Sequence, residues 1–285
     1  MTLPALDLLE SRGYALTLAG PRWAKDLFAA YSWPVVSLTG SRVDRIRALR
    51  ACGIAAGLLM TNSFSTALEF RLARIRAVGY ARDARSWLLH NAIEVDARDH
   101  MVEYYYRLAS AVTGPAPPPP AELRLRVGAS ARQRVHDMLR AHRVNTPYVV
   151  LCPVAVGLHH GKVKAWDGFT RLSEELLGQG ISVVAMPGPH ETEAVRGVLP
   201  DATVLPESDV ATFAALLADA RVVVANDSGP GHLAAAVGAT LVSVFGVTEP
   251  ENTRPWGPRA TLVGSAAGWP RYEEVRAAVE AALRG

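Results

Sequence analysis

Cysteine is scarce. Cys52 and Cys152 are the only two in 285 residues, which excludes a disulfide scaffold and a cysteine-based zinc cluster and suits a reducing compartment. Lysine is nearly as rare: Lys25, Lys162 and Lys164 are the only three, so the basic character rests on arginine. Long apolar runs are missing. The longest uncharged stretch, residues 228–248, is too broken by Gly, Pro, Ser and Thr to span a bilayer. Residues 1–10 lack the basic start and apolar run of a signal peptide, so a cytoplasmic location is expected. No G-x-x-x-x-G-K-[ST] phosphate loop and no G-x-S-x-G nucleophile elbow occurs. No D-x-D pair is present to hold a divalent metal against a diphosphate.

The chain has 49% hydrophobic and 20% charged residues, a globular balance. Its net charge of +3 is unevenly spread. Residues 1–120 carry 14 Lys+Arg against 10 Asp+Glu, and residues 121–285 carry 16 against 17. The excess gathers in residues 41–86, with nine Arg and three acids. A basic first half suits an anionic partner such as a phosphate, an anionic lipid or a nucleic acid, or is simply a solvated surface. Nucleic acid is not expected, because no recognition motif or aromatic stacking platform accompanies the arginines.

Residues 114–120 (GPAPPPP) can be neither helix nor central strand and should form a semi-rigid linker. This predicts two domains, 1–120 and 121–285. After the linker, short apolar runs alternate with helical periods. Strands are expected at 148–152, 181–186, 202–205, 222–225 and 240–245. Helices are expected at 130–142, 168–177, 191–198, 210–218 and 233–237. The first half repeats the rhythm less cleanly, with strands at 15–19, 35–38, 55–60 and 78–80. Its helices fall at 3–12, 23–31, 41–51, 66–73 and 101–112. Such alternation indicates a doubly wound α/β fold with parallel sheets covered on both faces.

In a parallel sheet, ligands sit beyond the carboxyl ends of the strands. The loops there are residues 153–164, 187–191, 226–232 and 246–254. Asn226-Asp227-Ser228-Gly229-Pro230-Gly231-His232 runs from a buried strand through a small-residue turn into a helix, where backbone N–H groups and the helix dipole favour a phosphate. Gly229 to Ala234 also spell a loose G-x-G-x-x-A. On the bland reading Asp227 and Ser228 merely cap the helix and His232 is a satisfied helix residue. Lys162 and Lys164 share a loop with His159 and His160. A lysine there can neutralise a diphosphate, or the loop is only a basic surface. No acid or cysteine spacing matches the histidines, so no metal site and no cofactor are expected. Glu191 is placed to accept from a ribose diol or to stabilise a helix start.

These residues resemble glycosyltransferase family 9, the lipopolysaccharide heptosyltransferases. The run from Val222 to Gly238 with Val244-Phe245-Gly246-Val247-Thr248-Glu249-Pro250 is similar to the family pattern D-[ST]-G-P-x-H, a small-residue helix, and a strand ending F/Y-G-x-T-x-P. Lys164-Ala165-Trp166 resembles its K-x-W. Leu59 to Ala67 (LMTNSFSTA) resembles a segment of the heptosyltransferase II type, and Gly79-Tyr80, Arg82-Asp83, Arg85-Ser86 and His100 to Tyr105 continue that likeness. The resemblance implies a GT-B fold, two Rossmann-like domains facing across a cleft. It implies an inverting, metal-independent transfer of heptose from ADP-heptose to the lipopolysaccharide core, on the cytoplasmic side and with peripheral contact to the inner membrane.

Carried over by motif, Lys164 would hold the diphosphate. Asp227, Ser228 and Gly229 would contact the donor, His232 would support their loop, and Glu191 would bind the ribose. Gly231 stands where many relatives carry a larger residue. The family's opening strand and G-D-x-x-x-x-x-P-A-L segment are matched only at their end, by Met1 to Leu6. On this resemblance the family's general-base aspartate would lie before Met1, and the catalytic residue here is unknown. Three alternatives follow: a truncated or misassigned start, another acid as base, or a relative that binds sugar nucleotide or acceptor without turnover.

Overall fold

The computed structural model describes residues 1–96, 98–155, 158–159 and 162–285, with the backbone alone given at 158, 159, 162 and 163. The chain divides into two compact units, Met1–Pro120 and Ala121–Gly285.

Unit 1 holds α1 (Leu3–Ser11), β1 (Leu18–Gly20), α2 (Trp23–Leu27), β2 (Val35–Ser37), α3 (Arg42–Ala51), β3 (Ala56–Leu58), α4 (Phe64–Leu72), β4 (Arg76–Tyr80), β5 (Asn91–Ile93) and α5 (Met101–Thr113). Strands β1 and β2 pair parallel, and β3, β4 and β5 form a separate parallel sheet in that order. Helix α1 buries Ala5, Leu8 and Leu9 against Tyr106 and Ala109 of α5. Polar caps set the helix starts. Ser41 and Asp44 form a capping box at α3, and Ser63 accepts from the Thr66 N–H at α4.

Unit 2 begins with α6 (Ala129–Ala141) and β6 (Tyr148–Cys152), followed by β7 (Leu158–His159) and β8 (Lys162–Val163). Next come α7 (Phe169–Gly178), β9 (Ser182–Ala185), α8 (Thr192–Val198), β10 (Thr203–Val204), α9 (Val210–Ala218) and β11 (Val222–Asn226). The unit closes with α10 (Gly229–Ala236), β12 (Leu241–Val244), β13 (Ala260–Val263) and α11 (Tyr272–Arg284). Its six-stranded sheet is parallel throughout, in the order β10-β9-β6-β11-β12-β13. Counted along the chain, that is the 3-2-1-4-5-6 order of a doubly wound nucleotide-binding sheet. Strands β6, β11 and β12 are buried at every position, as a strand covered on both faces must be. One face packs on α6 and α9 through Val135, Leu139 and Leu216. The other packs on α7 and α11 through Phe169, Leu172, Val275 and Val279.

The structure shifts several expected elements. Helix α10 starts at Gly229 rather than at residue 233, because Pro230 in its first turn tolerates the missing N–H donor there. The expected helix at 23–31 stops at Leu27, and Tyr31 stacks on Trp33 instead, with centroids 4.2 Å apart. Residues 158–163, read from sequence as loop, include the antiparallel pair β7–β8. Strands β5 and β13 were not anticipated. In each, only partners elsewhere in the chain turn a weakly apolar run into strand. Among the described residues, no helix is long and apolar enough to cross a membrane.

Candidate functional site

The strand order of the unit 2 sheet reverses between β6 and β11, the strands from which the connections run to opposite sides. Ligands of such sheets bind in the crevice outside the carboxyl ends at this switch point. Asn226, at the end of β11, bridges it. Its Nδ2 donates to the Pro153 carbonyl at 2.8 Å, and its Oδ1 accepts from the Trp166 N–H at 3.0 Å. The side chain is fully buried, so both bonds are made away from competing water.

Trp166 is itself clamped. Its indole N–H donates to the Pro270 carbonyl at 3.2 Å, and its ring lies nearly parallel to Tyr272 and edge-on to Phe169. Gly168 is required beside it: a Cβ there would fall 2.1 Å from the indole. This packing fixes the chain two residues earlier, at Lys164. The Lys164 ammonium lies 3.0 Å from Asp227 Oδ2, with the side chains 22% and 8% exposed. The same Asp227 oxygen accepts from the Thr248 hydroxyl at 2.6 Å, and the Asp227 N–H donates to the Val244 carbonyl. Asn226, the last residue of β11, and Asp227 just after it thus hold two positions of the K-x-W segment and the loop after β12.

Ser228 is the N-cap residue of α10, yet its hydroxyl donates to the Asn226 carbonyl at 3.1 Å and makes no side-chain cap. Asp227 does not cap either, being engaged with Lys164 and Thr248. Simple capping by these two residues is therefore not what the structure has. The Gly229 and Gly231 N–H groups in the first turn of α10 are left without a side-chain cap. A Cβ on Gly229 would meet nothing within 4 Å, so space lies in front of that turn. A Cβ on Gly231 would make only ordinary contacts, at 3.5 Å from the Asn226 carbonyl and 3.7 Å from Ser243 Oγ. An alanine at that position is therefore compatible with this backbone. His232 is the fourth residue of the helix, half-buried, with its N–H directed at the Ser228 carbonyl.

Glu191 lies in the loop after β9. Its carboxylate folds back to accept the Gly188 N–H at 2.9 Å, while His190, at φ +67°, donates its N–H to Glu207. The charge of Glu191 reaches Cys152 at the end of β6. Burial first, and that charge second, push the Cys152 thiol up to about 12. Glu191 therefore stands at the same sheet edge as the Asn226 bridge.

Lys164, Asp227, Ser228, Gly229 and His232 are gathered at the α10 start, and Glu191 lies beyond the end of β9, two strands from β11 in the sheet. The side chains of His159 and Lys162, and His160 as a whole, lie outside the described residues. Among the described residues no three His, Cys, Asp or Glu side chains cluster as a metal site requires. Sequence reasoning missed Asn226 and Thr248 as site organisers. Both stood inside the quoted motifs, but neither spacing nor composition tells that Asn226 must satisfy two buried backbone groups from another loop.

Comparison with known proteins accords with this geometry. Residues 42–281 match glycosyltransferase family 9 (heptosyltransferase). The chain is 27% identical over 239 residues to lipopolysaccharide heptosyltransferase 2 of Salmonella typhimurium, covering 76% of this chain; it spans 66% of that relative's length. In structure it is similar to E. coli ADP-heptose lps heptosyltransferase II, with a TM-score of 0.81 at 22% identity over 99% of this chain and 94% of the other. It is also similar to E. coli heptosyltransferase WaaC with ADP-2-deoxy-2-fluoro heptose, with a TM-score of 0.74 at 20% identity over 99% and 94%. The fold is accordingly GT-B, built of two Rossmann-like units. The sheet order, the motif geometry and the family match agree: this chain belongs to glycosyltransferase family 9, the heptosyltransferases.

Proposed function

We propose that this chain transfers heptose from ADP-heptose to the inner core of lipopolysaccharide, with inversion and without a metal ion. The observation that carries the proposal is the Lys164 ammonium, held 3.0 Å from Asp227 at the open N-terminus of α10. In this transfer an acceptor hydroxyl gives its proton to a base or to water and attacks the anomeric carbon, the bond to the donor's phosphate oxygen breaks, and ADP leaves with the electron pair. Negative charge grows on the diphosphate. A lysine and a helix N-terminus aimed at that charge stabilise it where a divalent cation otherwise would. Asp227, Ser228 and Gly229 line the donor's phosphates and sugar, His232 supports their turn, and Glu191 accepts from the ribose. The E. coli relative with ADP-2-deoxy-2-fluoro heptose supports the donor class. Unit 1 carries the acceptor, consistent with its arginine excess. A lipid-anchored acceptor places the work in the cytoplasm, at the inner face of the membrane, by peripheral contact.

The test is transfer from ADP-heptose to a deacylated core oligosaccharide, with ADP binding measured in parallel. Lys164→Met should lower kcat/KM by about 10²-fold, the usual effect of losing one preorganised charge-stabilising group, and excess EDTA should change nothing. Full activity of Lys164→Met, or abolition by EDTA, overturns the mechanism. ADP binding without transfer overturns the transferase reading and leaves a sugar-nucleotide binding site.

A further inference from the structure

Unit 1 exposes two large aromatic rings side by side. Trp87 is 71% exposed and Phe64 40%, with centroids 6.1 Å apart and planes tilted by 57°. Exposed apolar patches of this kind mark binding surfaces more often than chance, and tryptophan is the residue most enriched at binding hot spots. Phe64 follows β3 and Trp87 follows β4, so both stand at the carboxyl edge of a parallel sheet.

The loops bearing them are held from below. Arg85 is fully buried; its Nε donates to the Tyr80 carbonyl at 3.1 Å, one terminal nitrogen to the Thr61 carbonyl, and the other to Asn62 Oδ1 at 3.1 Å. Burial pulls its pKa below the ordinary arginine value. The two residues before it, Asp83 and Ala84, adopt φ +54° and +53°, a left-handed backbone that strains non-glycine residues. A buried guanidinium served by neutral oxygens is expensive too. Both features persist because they set the shape of the 61–65 and 82–87 loops together.

The polar groups beside the rings are specific. A guanidinium only donates, so the Arg85 contact identifies the Asn62 atom as oxygen. Tyr104 donates to the same Oδ1 at 3.0 Å. The Asn62 amide hydrogens meet no acceptor among the described residues. Ser63 and Ser65 hydroxyls lie 2.6 Å apart on either side of Phe64. Arg82, exposed, adds a positive charge next to the loop. A pyranose ring has an apolar C–H face and a rim of hydroxyls. An aromatic face matches the first, through its negative quadrupole, and amide and hydroxyl groups match the second. A bilayer surface has no use for that rim of hydrogen-bonding partners.

We propose that Trp87 and Phe64 form the stacking platform for a sugar ring of the saccharide acceptor, with Asn62, Ser63 and Ser65 reading its hydroxyls and Arg85 as the positioning residue. This rests on the transferase reading above, and the test separates the two. A deacylated phosphorylated core oligosaccharide is titrated into the intact protein, with binding followed calorimetrically, and transfer kinetics are measured alongside. Trp87→Ala should weaken oligosaccharide binding and raise acceptor KM about ten-fold, equivalent to about 1.4 kcal/mol, with ADP affinity and donor KM within two-fold. Trp87→Phe should recover most of the loss. Trp87 is a surface residue, so folding is preserved; thermal melts check it. Arg85→Lys should raise acceptor KM without moving ADP affinity. Unchanged oligosaccharide affinity in Trp87→Ala overturns the platform. So does Trp87-dependent binding to phosphatidylglycerol vesicles with unchanged acceptor KM, which would make the pair a membrane contact. If the protein binds the oligosaccharide through Trp87 but transfers no heptose, the platform stands and the transferase reading falls.

Discussion

Removing the Asn226 side chain tests the architecture of the site most directly. Asn226→Ala deletes the bonds to the Pro153 carbonyl, 2.8 Å, and to the Trp166 N–H, 3.0 Å. Pro153 and Trp166 are buried, and among the described residues neither group has another partner. An orphaned buried backbone group costs about 1–3 kcal/mol, so the pair should cost about 2–6 kcal/mol. In a domain of this size each kcal/mol lowers the melting temperature by about 2–4 °C. The unfolding transition of unit 2 should therefore fall by at least about 4 °C. The Lys164 segment loses its tie to β11 at the same time, so ADP affinity, measured calorimetrically, should drop by at least about ten-fold. Asn226→Asp sharpens the reasoning. It keeps the acceptor for Trp166 but turns a carboxylate oxygen toward the Pro153 carbonyl, which raises the folded-state pKa of that acid. Stability of this variant should be fullest below the ordinary aspartate range and decline as pH rises toward neutral. A melting temperature within about 1 °C of the parent for Asn226→Ala, with unchanged ADP affinity, would refute the claim that this side chain organises the site.

Three further outcomes follow. Gly246→Ala places a Cβ 2.0 Å from the Trp269 indole, so it should destabilise by about 1–3 kcal/mol in urea melts, as overpacking does. Cys152 is buried with its thiol pushed up to about 12, while Cys52 is half-buried. A thiol reagent at pH 8 should therefore label only Cys52 in the native protein and both after denaturation. Because the folded pKa of Cys152 is raised, its contribution to stability is intact below the unfolded thiol pKa of about 8.5 and is lost as pH climbs above it. Asp209, at the start of α9, has its carboxylate raised by burial but lowered overall by the Thr212 N–H and hydroxyl and by Arg134. Its share of stability is present above the ordinary aspartate pKa and lost as pH falls through the depressed one. Asp209→Ala should flatten that part of an acid-unfolding curve.

Much of this protein was legible along the chain. Period and composition mark the buried strands at 148–152 and 222–225, whose continuous apolar runs need cover on both faces. The small-residue turn at Ser228 to Gly231 announces a close backbone approach, and the family resemblance rests on those same letters. Short strands such as Asn91–Ile93 and Ala260–Val263 were not legible, because pairing partners rather than their own residues make them strands. Nor was the role of Asn226. A polar residue at the end of an apolar run reads as a strand terminus, and only the fold brings Pro153 and Trp166 within 3.0 Å of it. Arg85 looked like one arginine in a basic stretch, yet tertiary packing buried it and left Trp87, two residues on, in solvent. What the amino-acid order determined by itself were the local periods and turns, since these depend on neighbours in the chain. Which polar groups would meet across loops was decided by the order of strands in the sheet, since that sets distances between residues far apart in sequence.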